Sequence, residues 1–184
     1  MEQPAGNKIT GNPSSHPVLS VKWVEDFPDI PLNRNEAYKL RVTSKGVEIE
    51  AITETGVYRA IQTLRQLTEK KGNGIAITGC EITDWPAFRI RGFMQDVGRT
   101  YISTDELKRE IAILARYKIN VFHWHLTENQ AWRLQSKVFP MLNDSVNTTR
   151  QPGKYYTLEE ARELAAFCKQ HHVLLIPEID MSGH

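Results

Sequence analysis

From residue 88 onward, short apolar runs alternate with amphipathic stretches of helical period. Residues 90–95 read as a short strand, and 119–126 and 173–176 read as two more. Between them, 103–117 and 157–170 carry apolar residues at i, i+3 and i+4. The faces are Leu107, Ile111 and Leu114 in one helix, and Leu158, Ala161, Leu164, Ala165 and Cys168 in the other. Each helix opens on a capping box, Ser103 with Glu106 and Thr157 with Glu160. Apolar strands alternating with helices predict a parallel sheet buried on both faces. Such repeated units build either a (β/α)₈ barrel or a doubly wound sheet. No GxGxxG or GxxxxGK[ST] is present, so the dinucleotide and P-loop readings lose their main support.

The preceding residues follow a different pattern. Tyr38, Leu40 and Val42 alternate with polar residues, as do Val47, Ile49 and Ala51 after Ser44-Lys45-Gly46, which predicts a β-hairpin. Val57, Ala60, Ile61, Leu64 and Leu67 predict an amphipathic helix over 56–70, ended by Lys70-Lys71-Gly72-Asn73-Gly74. Residues 75–77 and 80–82 read as a further short strand pair, and Asp84-Trp85-Pro86 marks a boundary. The expected organisation is a disordered tail over 1–17, a small α+β domain over 18–84 and an α/β unit over 87–184. Residues 1–17 show no basic stretch followed by an apolar core, so no secretory signal is visible.

Lys and Arg total 23 against 22 Asp and Glu, a net charge of +1. That balance argues against a nucleic-acid partner, which calls for a basic stripe. No apolar run approaches the roughly 18–20 residues of a membrane-spanning helix. Cys80 and Cys168 are too few for a disulfide scaffold and are expected to be unpaired.

Ionisable residues gather at the strand ends of the second region. Arg91, Asp96 and Arg99 lie on and after its first strand, His123, His125 and Glu128 at the end of the second, and Glu178, Asp180 and His184 at the end of the third. Ligands of parallel α/β folds bind at the C-terminal strand ends. His123 and His125 are two apart and share one face. Each residue also has a plain structural reading: an Asp96–Arg99 ion pair, a hydrogen-bonded core His123, a structural acceptor in Glu178.

Three segments in order then resemble the family-20 glycoside hydrolases, the β-N-acetylhexosaminidases. They are 91–99 (RGFMQDVGR), 118–130 (KINVFHWHLTENQ) and 177–184 (PEIDMSGH). Residues 36–40 and 62–67 are similar to that family's small accessory domain. The resemblance implies an incomplete (β/α)₈ TIM barrel, its first three strands, preceded by a small α+β accessory domain whose own first strand and helix are not seen. It implies removal of terminal N-acetylglucosamine or N-acetylgalactosamine with retention, by attack of the substrate's own acetamido carbonyl on the anomeric carbon. No cofactor and no metal are implied. Carried over by position, Arg91 grips sugar hydroxyls, His184 supports the acid glutamate and Glu128 holds His184. His125 and Asp180 line the same strand ends as further substrate-binding candidates.

Three departures from the family pattern stand out. Ser182 replaces a common Pro before Gly183-His184, and Glu128-Asn129 stands where Asp-Asp is common. The adjacent Asp–Glu pair that performs the chemistry belongs beyond the third strand, where this sequence stops. A complete barrel runs to roughly 250 residues, so the 184 residues are expected to be an N-terminal fragment, inactive alone. The relatives are often periplasmic or extracellular. Two other readings stay open: a non-catalytic module that binds a glycan or a partner, self-associating through exposed sheet edges, and a metal-dependent barrel hydrolase using His123, His125, Asp180 and His184.

Overall fold

The computed structural model describes residues 8–9 and 18–181, which divide into two compact units meeting at Arg89 and Ile90. His184 lies outside the described residues.

The first unit contains β1 (Lys8–Ile9), β2 (Val18–Trp23), β3 (Tyr38–Thr43), β4 (Gly46–Ala51), α1 (Glu54–Gln66), β5 (Thr68–Lys71), β6 (Gly74–Thr78) and β7 (Cys80–Asp84). Its main sheet has the order β2-β4-β3-β7, with β2 parallel to β4 and the other pairs antiparallel. The expected hairpin is β3–β4. One side of it buries Tyr38, Leu40, Val42, Ile49 and Ala51 together with Ala60 of α1, and Val57, Ile61 and Leu64 pack against that cluster. Gly56 lets α1 settle there, because a Cβ at this position would lie 2.5 Å from the Ala37 carbonyl oxygen.

Three features of this unit differ from expectation. The helix runs over Glu54–Gln66 rather than 56–70. The Thr53 side chain caps its start by accepting from the Gly56 amide, and the Thr68 hydroxyl takes up the Arg65 carbonyl at its end. Residues Thr68–Lys71 then form an exposed strand that pairs with β6 around Gly72 at φ 60°. The expected disordered tail is corrected at Lys8–Ile9, which pair with Thr78 and Ile77 on the free edge of β6. Two residues are too short a run to show an alternating apolar pattern, so the sequence does not announce this pairing. Finally, Val18–Trp23 is a full strand on the edge of the main sheet.

The second unit contains β8 (Gly92–Asp96), α2 (Thr104–Arg116), β9 (Val121–His125), β10 (Thr127–Glu128), β11 (Ala131–Trp132), α3 (Leu158–Gln170) and β12 (Leu174–Glu178). β9 is the centre of a parallel sheet in the order β8-β9-β12. Both capping boxes are formed, at Ser103 with Glu106 and at Thr157 with Glu160. Right-handed crossovers put both helices on one side of this sheet, and that side buries Phe122 and Trp124. The helices contribute Leu107, Ile111, Ala115, Leu164 and Cys168 to the buried set. The register aligns three rows on the other side: Gly92, Val121 and Leu174; Met94, His123 and Ile176; Asp96, His125 and Glu178. Met94, Leu174 and Ile176 there are 53%, 60% and 41% exposed. No helix of the described residues is long and apolar enough to cross a membrane.

Candidate active site

The last of those rows places three ionisable side chains at the C-terminal ends of three adjacent strands. His125 is buried on the central strand. Its Nε2 lies 2.9 Å from Asp180 Oδ2 on the segment after β12, and its Nδ1 lies 3.8 Å from Asp96 Oδ1 at the end of β8. The ladder continues past the strands and fixes these positions. The Val97 amide donates to the His125 carbonyl, the Leu126 amide to the Glu178 carbonyl, and the Asp180 amide to Thr127 Oγ1 at 2.8 Å. One row down, His123 Nε2 lies 2.7 Å from Glu178 Oε2.

Burial pulls the His125 pKa down, but the Asp180 hydrogen bond and the charges of Glu178, Asp96 and Asp180 outweigh it. The net result lies above the ordinary imidazole value. An imidazole ringed by carboxylates keeps its proton because the charged form is the one those neighbours stabilise.

Glu128, on the two-residue strand β10, has a side chain only 2% exposed, and it forms an ion pair with Arg99. Arg99 also donates to Asp96 Oδ2 at 2.9 Å, and its amide donates to Asp96 Oδ1 at 3.0 Å. Arg99 thus bridges carboxylates from two strand ends. Gly98 makes this bridge possible, since a Cβ there would stand 2.8 Å from Cβ and Cγ of Glu128.

His125, Asp180 and Glu128 come together at one end of the sheet, with Asp96, Arg99, His123 and Glu178 beside them. Arg91 does not join them. It precedes β8 rather than following it, so it sits roughly 16 Å along the strand from Asp96 at about 3.3 Å per residue. Its Nε donates to the Lys118 carbonyl at 2.8 Å, and its amide is held by the Asn120 side chain. The expected position of Arg91 at the C-terminal strand ends is therefore corrected. The strand starts two residues later than the apolar pattern placed it.

Residues 127–156 form a long connection between β9 and α3. It holds the β10–β11 hairpin and two short 3₁₀ turns. Just past β11 lies Arg133, fully buried, a residue that no side-chain pattern marks in the sequence. Tyr156 closes the far end of the connection. Its hydroxyl donates to the Ile102 carbonyl, and its ring stacks on Tyr101 and meets Trp124 edge-on.

Two overlapping triads, Asp96-His125-Glu128 and His125-Glu178-Asp180, bring their ligand atoms within 4.8 Å of one another, a spacing that could hold a cation. The arrangement also meets these groups with protein partners, Arg99 for Asp96 and Glu128, and the two imidazoles for Glu178 and Asp180. The sequence has one adjacent Asp–Glu, Asp105-Glu106. Glu106 takes hydrogen bonds from the Ser103 hydroxyl and amide, which hold its carboxyl below the ordinary value. A general acid needs the opposite shift, so this pair caps α2.

Comparison with known proteins agrees with the fold. The family model described as glycosyl hydrolase family 20, catalytic domain, matches residues 88–184, and that described as glycosyl hydrolase family 20, domain 2, matches 5–85. A β-hexosaminidase of Porphyromonas gingivalis is 39% identical over 196 aligned residues, which cover 100% of this chain and 23% of that protein. The crystal structure of β-N-acetylhexosaminidase from Bacteroides fragilis superposes with a TM-score of 0.79 at 33% identity, covering 93% of this chain and 34% of that one. The Streptomyces plicatus N-acetyl-β-hexosaminidase bound to Thio-NAglucal gives 0.78 at 33% identity, covering 90% and 34%. This chain therefore spans between about a quarter and a third of the length of these relatives. These neighbours imply a TIM-barrel-related fold with an N-terminal domain. On the match of its catalytic-domain residues, the chain belongs to glycosyl hydrolase family 20.

Proposed function

We propose that the chain serves a retaining β-N-acetylhexosaminidase, supplying the accessory domain and the first three strands of a (β/α)₈ barrel. The observation that carries this reading is the convergence of Asp96, His125, Glu128 and Asp180 at the C-terminal ends of three parallel strands. That is the end where barrels assemble their sites. The substrate is a glycan ending in N-acetylglucosamine or N-acetylgalactosamine. Its 2-acetamido oxygen bonds to the anomeric carbon as the glycosidic bond breaks, and the leaving oxygen takes a proton from an acid glutamate. Glu128 holds His184, and His184 in turn supports that acid. Arg91 contributes guanidinium donors to sugar hydroxyls, and His125 and Asp180 shape the floor beside the sugar.

The one adjacent Asp–Glu of the 184 residues, Asp105-Glu106, is engaged in capping α2, so these residues alone are expected not to turn over. The test is a chimera in which residues 88–184 replace the matching segment of the Bacteroides fragilis enzyme. A folded chimera should release nitrophenol from nitrophenyl N-acetyl-β-glucosaminide, and the 184-residue chain should not. A folded chimera without turnover overturns the reading, and turnover by the chain alone overturns the division of labour.

The open side of the parallel sheet favours a second property. Met94, Leu174 and Ile176 expose an apolar surface between the free edges of β8 and β12. Such surfaces pair with other chains. The isolated chain should elute from size-exclusion chromatography above its monomer size. Replacing these three residues with serine should return it to monomer, and a wild-type monomer peak contradicts this.

A further inference from the structure

The geometry points to Arg133 as the positioning residue for the Arg99–Glu128 pair. This inference rests on the role given to Glu128 above. Arg133 is 0% exposed, and its guanidinium donates five hydrogen bonds to five main-chain carbonyls. A guanidinium has five N–H donors in a rigid fork, so the group is saturated. Nε reaches Val97 at 3.1 Å, and Nη2 reaches Gly98 at 3.3 Å and Arg150 at 2.8 Å. Nη1 reaches Gln151 at 3.3 Å and Lys154 at 2.7 Å.

These carbonyls belong to two segments. Val97 and Gly98 form the turn after β8, and 150–154 is the return of the long connection. Arg133 itself is tied to the sheet, since its amide donates to the Leu126 carbonyl and its carbonyl accepts from the Tyr156 amide. It therefore fixes the turn after the first strand relative to the end of the second. Gly98 touches Glu128, and Arg99, the next residue, pairs with it. Release of the Val97 and Gly98 carbonyls would free the segment that aims Arg99. A buried cation whose direct partners are all carbonyls is an expensive device for simple packing. Its fork geometry is the property in use, and lysine offers only three donors on one nitrogen.

The test uses the 184-residue chain and reads no turnover, so its failure and the failure of the glycosidase reading are separate events. In Arg133→Met, amide exchange at Val97 and Arg99 should quicken about tenfold, the loss of roughly one hydrogen bond's worth of protection. Exchange of the Arg99 guanidinium protons, which its pairs with Asp96 and Glu128 should slow in the wild type, should quicken as well, while the Phe122 and Trp124 amides keep wild-type protection. Arg133→Lys should restore neither signal. Loosening confined to 150–154 overturns the proposal, because Arg133 then anchors only the long connection. Uniform loss of protection through β9 overturns it, as does rescue by lysine. If the methionine variant does not fold, the lysine variant is read on the same amides and the same Arg99 protons. Failure of both to fold also overturns it, by making Arg133 a requirement of the whole unit.

Discussion

His125 on the central strand and Asp180 just past its neighbour are joined by a 2.9 Å hydrogen bond between Nε2 and Oδ2. The bond ties the end of the third strand to the second through a side chain whose charge depends on pH. Burial opposes the His125 charge, and Asp180, Glu178 and Asp96 favour it by more, so its folded pKa exceeds the unfolded value of about 6.5. A raised pKa stabilises the fold fully below the unfolded value, and that contribution disappears as pH rises through the folded value. NMR titration of the His125 ring should give a midpoint above the ordinary one, and Asp180→Asn should lower it. A midpoint at or below the ordinary value, indifferent to Asp180, contradicts this account of the site.

Gly98 is held to glycine by contact rather than by backbone angle. A methyl group at this position would meet two Glu128 carbons at 2.8 Å and the Thr127 carbonyl carbon at 3.0 Å. Either the turn after β8 or the Glu128 side chain has to shift. Gly98→Ala should cost about 1–3 kcal/mol, the usual range for overpacking, measured by urea denaturation. An unchanged midpoint would mean that the turn yields freely and does not hold Glu128.

The second unit was legible because its signals are local. Apolar runs marked β9 and β12, and the capping boxes at Ser103 and Thr157 marked both helix starts. His125, Glu128 and Asp180 stood out as ionisable residues gathered at the ends of the apolar strands. What stayed hidden depends on the backbone. Thr68–Lys71 is a strand of exposed polar residues paired through main-chain bonds, so its sequence carries no alternation. Lys8–Ile9 joins the same small sheet in the same way. Arg133 binds only carbonyls, which every residue possesses, so nothing in the sequence singles out its partners. The pairing of Arg99 with Glu128 was hidden for a related reason, because it depends on how closely Gly98 approaches β10.

Arg91 separates the sequence reading from the geometry most sharply. Its Nε donates to the Lys118 carbonyl at the start of the strand, away from the cluster around His125, and the sugar role is carried by its resemblance to the family arginine. In the chimera, Arg91→Lys keeps the charge and removes the planar fork. KM should rise about tenfold, as expected when a hydrogen bond from a charged donor is lost, with kcat little changed. An unchanged KM with a lower melting temperature would make Arg91 a strap between β8 and the turn at Lys118.

The Glu128 carboxylate, buried and paired with Arg99, is proposed to support acid catalysis from the end of the second strand. The most direct measurement is the kcat of Glu128→Ala in the active chimera, alongside its KM. A group that supports the general acid, without binding sugar, should act on kcat alone. Positioned proton transfer contributes about 10²–10⁴-fold, so kcat should fall by about 10² or more while KM stays within about twofold. A folded Glu128→Ala chimera with undiminished kcat would contradict the account.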